Sequence, residues 1–223
     1  MIVLGVRNVR EALPIGIDLL KKYGQRQASQ YGDVLVMPCP VTTVYAKPRE
    51  RVLFDPRRDA NPFFHLMESL WMLAGRHDSA FLDQYVKDFG DRFAEPGGVV
   101  HDAYGHRWRR AFGVDQLKVI TNRLIENPDD RQCVLQMWDA DAFDDLSPTA
   151  KWKTRPCNTH AYFRVNGDQL DMTVCCRSND IIWGAYGANA VHFSVLLEYV
   201  AAMSDNMVGK YYQMSNNYHA YTE

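Results

Sequence analysis

One turn constrains this chain more than any other feature. Asn166-Gly167 stands between two stretches that alternate apolar and polar residues. Asn-Gly between alternating flanks is the strongest short-range hairpin signal, because both residues accept the backbone conformation that a two-residue turn demands. Ala161, Phe163 and Val165 share one face of the first strand, and Leu170, Met172 and Val174 share one face of the second. A loop of residues 166–167 pairs position 165 with 168. Counting outward sets Cys157 opposite Cys176, beside Arg177 and Ser178. A guanidinium next to a thiol favours the thiolate and lowers its pKa. The same Arg177 and Ser178 suit an anionic substrate held against the sulfur. The plainer alternative is a core cysteine at a strand start, which needs no such company. Cys175 and Cys176 are adjacent and, in a strand, point to opposite faces, so they make no metal pair.

The remaining segments give a mixed α and β pattern, an α+β class. Residues 10–23 read as a helix weakened by Pro14 and Gly16, and residues 34–48 as β-branched edge strands broken by prolines. Residues 61–75 read as the clearest helix, with Asn61 as N-cap, Pro62 in the first turn and Gly75 past the end. Residues 115–126 and 190–203 read as further helices, the last apolar nearly all round, and 131–138 as a strand. At 223 residues the chain fits a single domain with a sizeable core. A formal net charge of −2 argues against general nucleic-acid binding, which needs a basic footprint. No apolar run reaches the ~18 residues of a membrane span, and the N-terminus lacks the basic segment of a signal peptide. Five cysteines without framework spacing point to reduced thiols and a cytoplasmic protein.

Several polar residues stand where a structural role is only one of two readings. Glu68 falls in the helix 61–75 among Phe64, Trp71 and Met72. It is either a solvated surface residue or a partly buried acid with a raised pKa. Tyr104 lies in HDAYGHRWRR, a segment rich in arginine that suits anions or simply covers the surface. Asn189 either caps the last helix or offers its amide, donor and acceptor together, to a lactam edge such as that of uracil. His219 and Tyr221, two apart, share a strand face.

In this order the residues resemble the thymidylate synthase family, which includes the phage and antibiotic-pathway pyrimidine 5-hydroxymethyltransferases. The resemblance runs from about Ser29 to Tyr221. It is carried by HLMESLWMLAGRHD around Glu68, AYGHRWR with Tyr104, the cysteine of RPCN, CRSNDIIWG and NYHAY. It implies a single catalytic domain over 1–223, a large mixed or antiparallel sheet packed with helices, and a homodimer built on a sheet face with shared active sites. It further implies a pyrimidine nucleoside monophosphate as substrate and 5,10-methylenetetrahydrofolate as one-carbon donor. Cys157 is then the nucleophile at C6, with Arg177 and Ser178 on the 5′-phosphate, joined by Arg131 from across the dimer. Asp180 positions the pterin, with Gly184 and Arg58 completing the folate side. Glu68 organises water and proton transfers, and Tyr104 assists removal of the C5 proton. Asn189 reads the base, and His219 with Tyr221 holds the sugar hydroxyl. No metal is implied.

Four departures from the family pattern bear on function. A tryptophan that covers the exocyclic methylene intermediate is Gly90 by count, which predicts access for water and a hydroxymethyl rather than methyl product. The phosphate-loop arginine is absent from Ser29-Gln30-Tyr31-Gly32, leaving Arg26 as its substitute, and the usual double arginine is reduced to Arg131-Gln132. GAYGAN is one residue longer than the family's loop, so Ala188 is the ungapped match and Asn189 the one that keeps the helix pattern; Asn158 replaces a histidine. The sequence stops soon after Tyr221, where family members continue over the folate, so either it continues or closure is handled differently. Two rival readings are an inactive nucleotide-binding relative and a thiol hydrolase using Cys157 and His160. The second is disfavoured because His160 points to the other strand face.

Overall fold

The hairpin forms, and it sits inside a larger sheet. The computed structural model describes residues 1–140 and 145–222. In chain order its elements are β1 (Ile2–Val6), α1 (Val9–Tyr23), β2 (Gln25–Ser29), β3 (Gly32–Val36), β4 (Val41–Tyr45) and α2 (Pro62–Leu73). Then come α3 (Phe89–Phe93), α4 (Tyr104–His106), α5 (Gln116–Glu126) and β5 (Val134–Gln136). The chain finishes with β6 (Asn158–Asn166), β7 (Gln169–Asp180), α6 (Asn189–Met203) and β8 (Met207–Tyr221). A π-helical turn, Arg107–Ala111, prolongs α4, and a π-helical stretch, Ile181–Ala188, leads into α6. The order β1-β4-β8-β7-β6-β5 defines the sheet, with β3 pairing both β2 and β8. The β1–β4 and β7–β8 pairs are parallel and the others antiparallel, so the sheet is mixed, as expected.

Two neighbouring rows of side chains show how the sheet is used. Thr43, Gln213, Val174, Ala161 and Leu135 are cross-strand partners, and all are buried beneath the helices. The adjacent row, Val44, Tyr212, Thr173, Tyr162 and Val134, points the other way and is half-buried or exposed. That alternation is the period-2 geometry of a strand, and it gives the sheet one covered and one open face. Over the covered face α6 is buried nearly all round, including Phe193, Leu196, Leu197 and Val200.

The strands in 34–48 are not at the edge. β4 is interior, between β1 and β8, because Pro38, Pro40 and Pro48 lie outside the strands and take no donor from the ladder. Helix α2 matches its expected caps. Asn61 Oδ1 accepts from Phe64 N at 3.0 Å, contributing about 1 kcal/mol, and Gly75 follows the last turn with φ +68°. Helix α1 also forms, carrying Pro14 within it. No helix among the described residues is long and apolar enough to cross a membrane.

Candidate active site

Cys157 immediately precedes β6, and its setting differs from the counted one. The turn residues are Gly167, at φ +67°, and Asp168, so Asn166 pairs with Gln169 and the register shifts by two. A bulge between Asn158 and His160 takes one residue back. Cys157 therefore faces Arg177 rather than Cys176, and Arg177 N donates to Cys157 O at 2.8 Å. The nucleophile segment is also tied from the other side. The Tyr104 hydroxyl accepts from Cys157 N (3.0 Å), Asn158 N (3.1 Å) and Asn158 Nδ2 (3.0 Å). Arg177 ties the same segment with part of its guanidinium, Nε donating to Pro156 O at 2.9 Å and Nη2 to Arg155 O at 3.3 Å, while the side chain still lines the cavity. Burial pushes the Cys157 thiol up; Arg177 pulls it down, as its position promised, but does not win, and Asp102 adds to the rise.

A cavity of about 820 Å³ opens above the sulfur. Its walls include Cys157, Arg177, Ser178, Asp180, His219 and Tyr221, drawn together by the parallel β7–β8 pairing, which sets Ser178 beside Asn217 and Asp180 beside His219. Two expected members are elsewhere. Gln27 and Ser29 of β2 line the cavity, so Arg26, one position off, lies on the other side of that strand, exposed. Arg131 is exposed in the turn before β5 and is not on this wall in its own chain. Beside Arg177, the cations on this wall are Arg155 and Lys153, which the run Lys-Trp-Lys-Thr-Arg ahead of the cysteine signals. The arginines after Tyr104 do not make an anion site. Arg107 is fully buried against Asp145 (2.5 Å), and Arg109 bonds Asp115 and Tyr199.

A second cavity of about 450 Å³ adjoins the first, and Asp102 belongs to both walls. Asp102 accepts from Thr154 Oγ1 at 2.7 Å, and burial raises its carboxyl above the ordinary range. Nothing in the sequence distinguished it. Here lie Glu68, Tyr104, Asn189 and Arg58, with Phe64, Phe89 and Phe93 as aromatic walls. Arg58 stacks 4.2 Å over the Trp183 ring and donates to Ile182 O at 3.1 Å. Asp180 accepts from Ile182 N and Trp183 N, capping the π-helical stretch. Asn189 does not cap α6; it is buried in an amide chain. Asn158 Nδ2 donates to Asn189 Oδ1 at 3.3 Å, and Asn189 Nδ2 donates to Asn179 Oδ1 at 3.1 Å. Gly184 is not on the cavity wall. A Cβ there would come 2.5 Å from Asn179 Oδ1, so its glycine makes room for the amide chain.

Two findings alter the expected picture of the second cavity. Gly90 does not open it. A Cβ at 90 would meet Ser79 Oγ at 2.7 Å and Asp83 Oδ2 at 2.9 Å, so the position faces the preceding turn while Phe89 and Phe93 form the wall. Two histidines unnoticed in the sequence join Glu68. His192 Nε2 lies 2.7 Å from Glu68 Oε2, close but off the line along which a ring N–H would donate, and His65 Nδ1 lies 4.0 Å from the same oxygen.

The family model of thymidylate synthase matches residues 61–223. The chain is 54% identical over 227 residues to the deoxyuridylate hydroxymethyltransferase of Pseudomonas phage M6, covering 100% of this chain and 62% of that protein. It is 37% identical over 194 residues to the deoxyuridylate hydroxymethyltransferase of Bacillus phage SP01, covering 82% and 50%. The thymidylate synthase of Buchnera aphidicola is 27% identical over 161 residues, covering 70% of this chain and 58% of that protein. The chain thus spans between half and two thirds of the length of these relatives.

Proposed function

The chain belongs to the thymidylate synthase family, and on that premise we propose that it hydroxymethylates C5 of deoxyuridine monophosphate. The observation that carries this reading is the junction of two cavities at Cys157, Tyr104 and Asp102. One cavity offers a thiol, cations and hydroxyls to a nucleotide, and the other offers acid–base groups within aromatic walls. The relatives named for deoxyuridylate favour uracil and deoxyribose.

Cys157 Sγ adds to C6 of the pyrimidine, which turns C5 into a nucleophile. Arg177 and Ser178 hold the phosphate, with Arg155 and Lys153 of the same wall, rather than Arg26, as the further cations. His219 and Tyr221 face the sugar. Asn189 reads the base. Its oxygen and its nitrogen are each engaged once, leaving one acceptor and one donor position, the pattern that N3–H and O4 of uracil require. The phenol of Tyr104, kept protonated by burial and with its lone pairs engaged, assists removal of the C5 proton by donating its O–H to the water that takes it.

The one-carbon unit at the methylene level would be supplied by 5,10-methylenetetrahydrofolate. The second cavity fits that group. Phe64, Phe89 and Phe93 would offer walls to a flat heterocycle, Arg58, stacked over Trp183, would offer a cation to carboxylates, and Asp180, on the wall of the first cavity, caps the π-helical stretch that carries Trp183. The open sheet face, with Tyr212, Thr173, Tyr162 and Val134 in one row, is the surface for a second copy. That copy's Arg131 completes the phosphate site. On this reading the protein acts in the cytoplasm, that of the host cell if the chain is phage-encoded.

Incubating the chain with deoxyuridine monophosphate and the folate, and weighing the product, tests the assignment. A 5-hydroxymethyl nucleotide without dihydrofolate, seen as no near-ultraviolet rise, is expected. A 5-methyl nucleotide with equal dihydrofolate would make it a thymidylate synthase, and absence of C5 tritium release would make it a nucleotide-binding relative.

A further inference from the structure

His65, Glu68 and His192 converge at the inner wall of the second cavity. His65 and Glu68 lie one turn apart on α2, and His192 faces them from α6. Their Nδ1, Oε2 and Nε2 atoms all lie within 4.8 Å of one another. His65 Nδ1 is buried and makes no hydrogen bond among the described residues, and His192 Nε2 touches Glu68 without aligned donor geometry. Two buried ring nitrogens left unsatisfied are a standing cost, removed when a small polar molecule bonds to them. The one reactant of that size is water.

We infer that Glu68, His65 and His192 hold and activate the water that adds to the exocyclic methylene of the pyrimidine, so that this cluster directs the reaction to a hydroxymethyl product. The inference rests on the function proposed above and assigns a role to two residues that it left unused. Burial, His192 and Arg58 keep the His65 imidazole neutral, its pKa lowered to about 4 against the opposing pull of Glu68. At neutral pH it therefore has one ring nitrogen free to accept an O–H. The water oxygen forms a bond to the exocyclic carbon, and the C=C pair moves into the ring as an enolate. The water's proton passes to Glu68. The enolate then collapses, restoring C5=C6 and breaking the C6–S bond, and the departing Cys157 thiolate recovers a proton. Nothing is oxidised or reduced. His192, held against Glu68, is a positioning residue.

A partition experiment tests this without depending on overall rate. The exocyclic methylene is an electrophile that 2-mercaptoethanol also captures, so the ratio of 5-hydroxymethyl to 5-thioether nucleotide reports only what happens after it forms. His65→Phe preserves ring packing and removes the nitrogen; it should lower that ratio about tenfold or more, in line with the loss of a positioned acid–base group. His192→Phe should lower it too, and His65→Gln should recover part of it. Tritium release from C5, followed in parallel, checks that the variants reach the intermediate. Unchanged ratios in both phenylalanine variants would overturn the inference. So would a wild-type activity lost to a chelator and restored by zinc, which would make the cluster a metal site. If the wild-type protein yields neither product, the proposed function itself fails, whatever the variants do.

Discussion

Replacing Tyr104 with phenylalanine separates anchoring of the nucleophile from simple packing. The ring still fills its place near Trp108 and Phe193, but the hydroxyl that gathers Cys157 N, Asn158 N and Asn158 Nδ2 is gone. An oxygen with two lone pairs shares them among three donors, and Asn158 Nδ2 keeps its bond to Asn189. The loss therefore counts as two bonds. Stranding a buried donor costs roughly 1–3 kcal/mol, and water from the adjoining cavity moderates this, giving about 2–4 kcal/mol in all. For a chain of this length that corresponds to a drop in Tm of roughly 5–15 °C. Tyr45→Phe is the control, since Tyr45 is more fully buried than Tyr104 yet its hydroxyl makes a single bond, to Ala185 O at 3.1 Å. Calorimetry on both variants should show Tyr104→Phe falling at least twice as far. A Tm no lower than that of Tyr45→Phe would refute the view that this hydroxyl holds the cysteine segment.

Cys157→Ser should abolish C5 tritium release while nucleotide binding, measured by calorimetric titration, stays within a few-fold; near wild-type release would remove Cys157 as nucleophile. Asp102→Asn should move the iodoacetamide alkylation profile of Cys157 to lower pH, because the carboxylate raises the thiol pKa; a shift upward would contradict that. Tyr162→Asp, in the open row of the sheet, should convert a sedimenting dimer to monomer, and an unchanged sedimentation coefficient would place the interface elsewhere. His65 adds a pH term of definite sign. The folded pKa, about 4, lies below the ordinary 6.5, so its contribution is intact above 6.5 and lost as pH falls toward 4. That amounts to roughly 3 kcal/mol. Urea midpoints of His65→Phe should fall less steeply over that range than those of the wild type, and parallel curves would show that burial does not hold His65 neutral.

Much of the frame was legible because it follows local rules. Asn61 and Pro62 start α2, Asp115 starts α5, and alternation around Asn166-Gly167 gives the hairpin. The register was not legible. Whether the turn uses residues 166–167 or 167–168 moves every pair by two, and the bulge at Thr159 leaves no mark in the alternation. The long strand β8 was visible only through His219 and Tyr221, since Tyr, Gln, Ser and Asn there carry no strong apolar period. His192 was hidden for the opposite reason. On a helix that is apolar nearly all round, a single histidine reads as core, and only the packing of α6 on α2 reveals that it meets Glu68. Asp102 likewise gains meaning only where two cavities meet.

The same contrast bears on how the product is chosen. Counting along the chain makes Gly90 the site of a lost indole, and so makes the outcome a matter of failed exclusion of water. The backbone does not support that account. A side chain at 90 would press on Ser79 and Asp83, so glycine is what the tight approach of that turn demands. The wall that does face the cavity is apolar at Phe64, Phe89 and Phe93, which alone would favour a dry site. A single water in such a place is stable only if polar groups hold it, since it needs two to four partners. Glu68 with His65 and His192 is the one group of three His, Cys, Asp or Glu side chains among the described residues whose ligand atoms come close together, and it lies on that wall. The choice between hydroxymethyl and methyl therefore turns on which residues bind the water, and it follows that filling position 90 should not by itself convert one activity into the other.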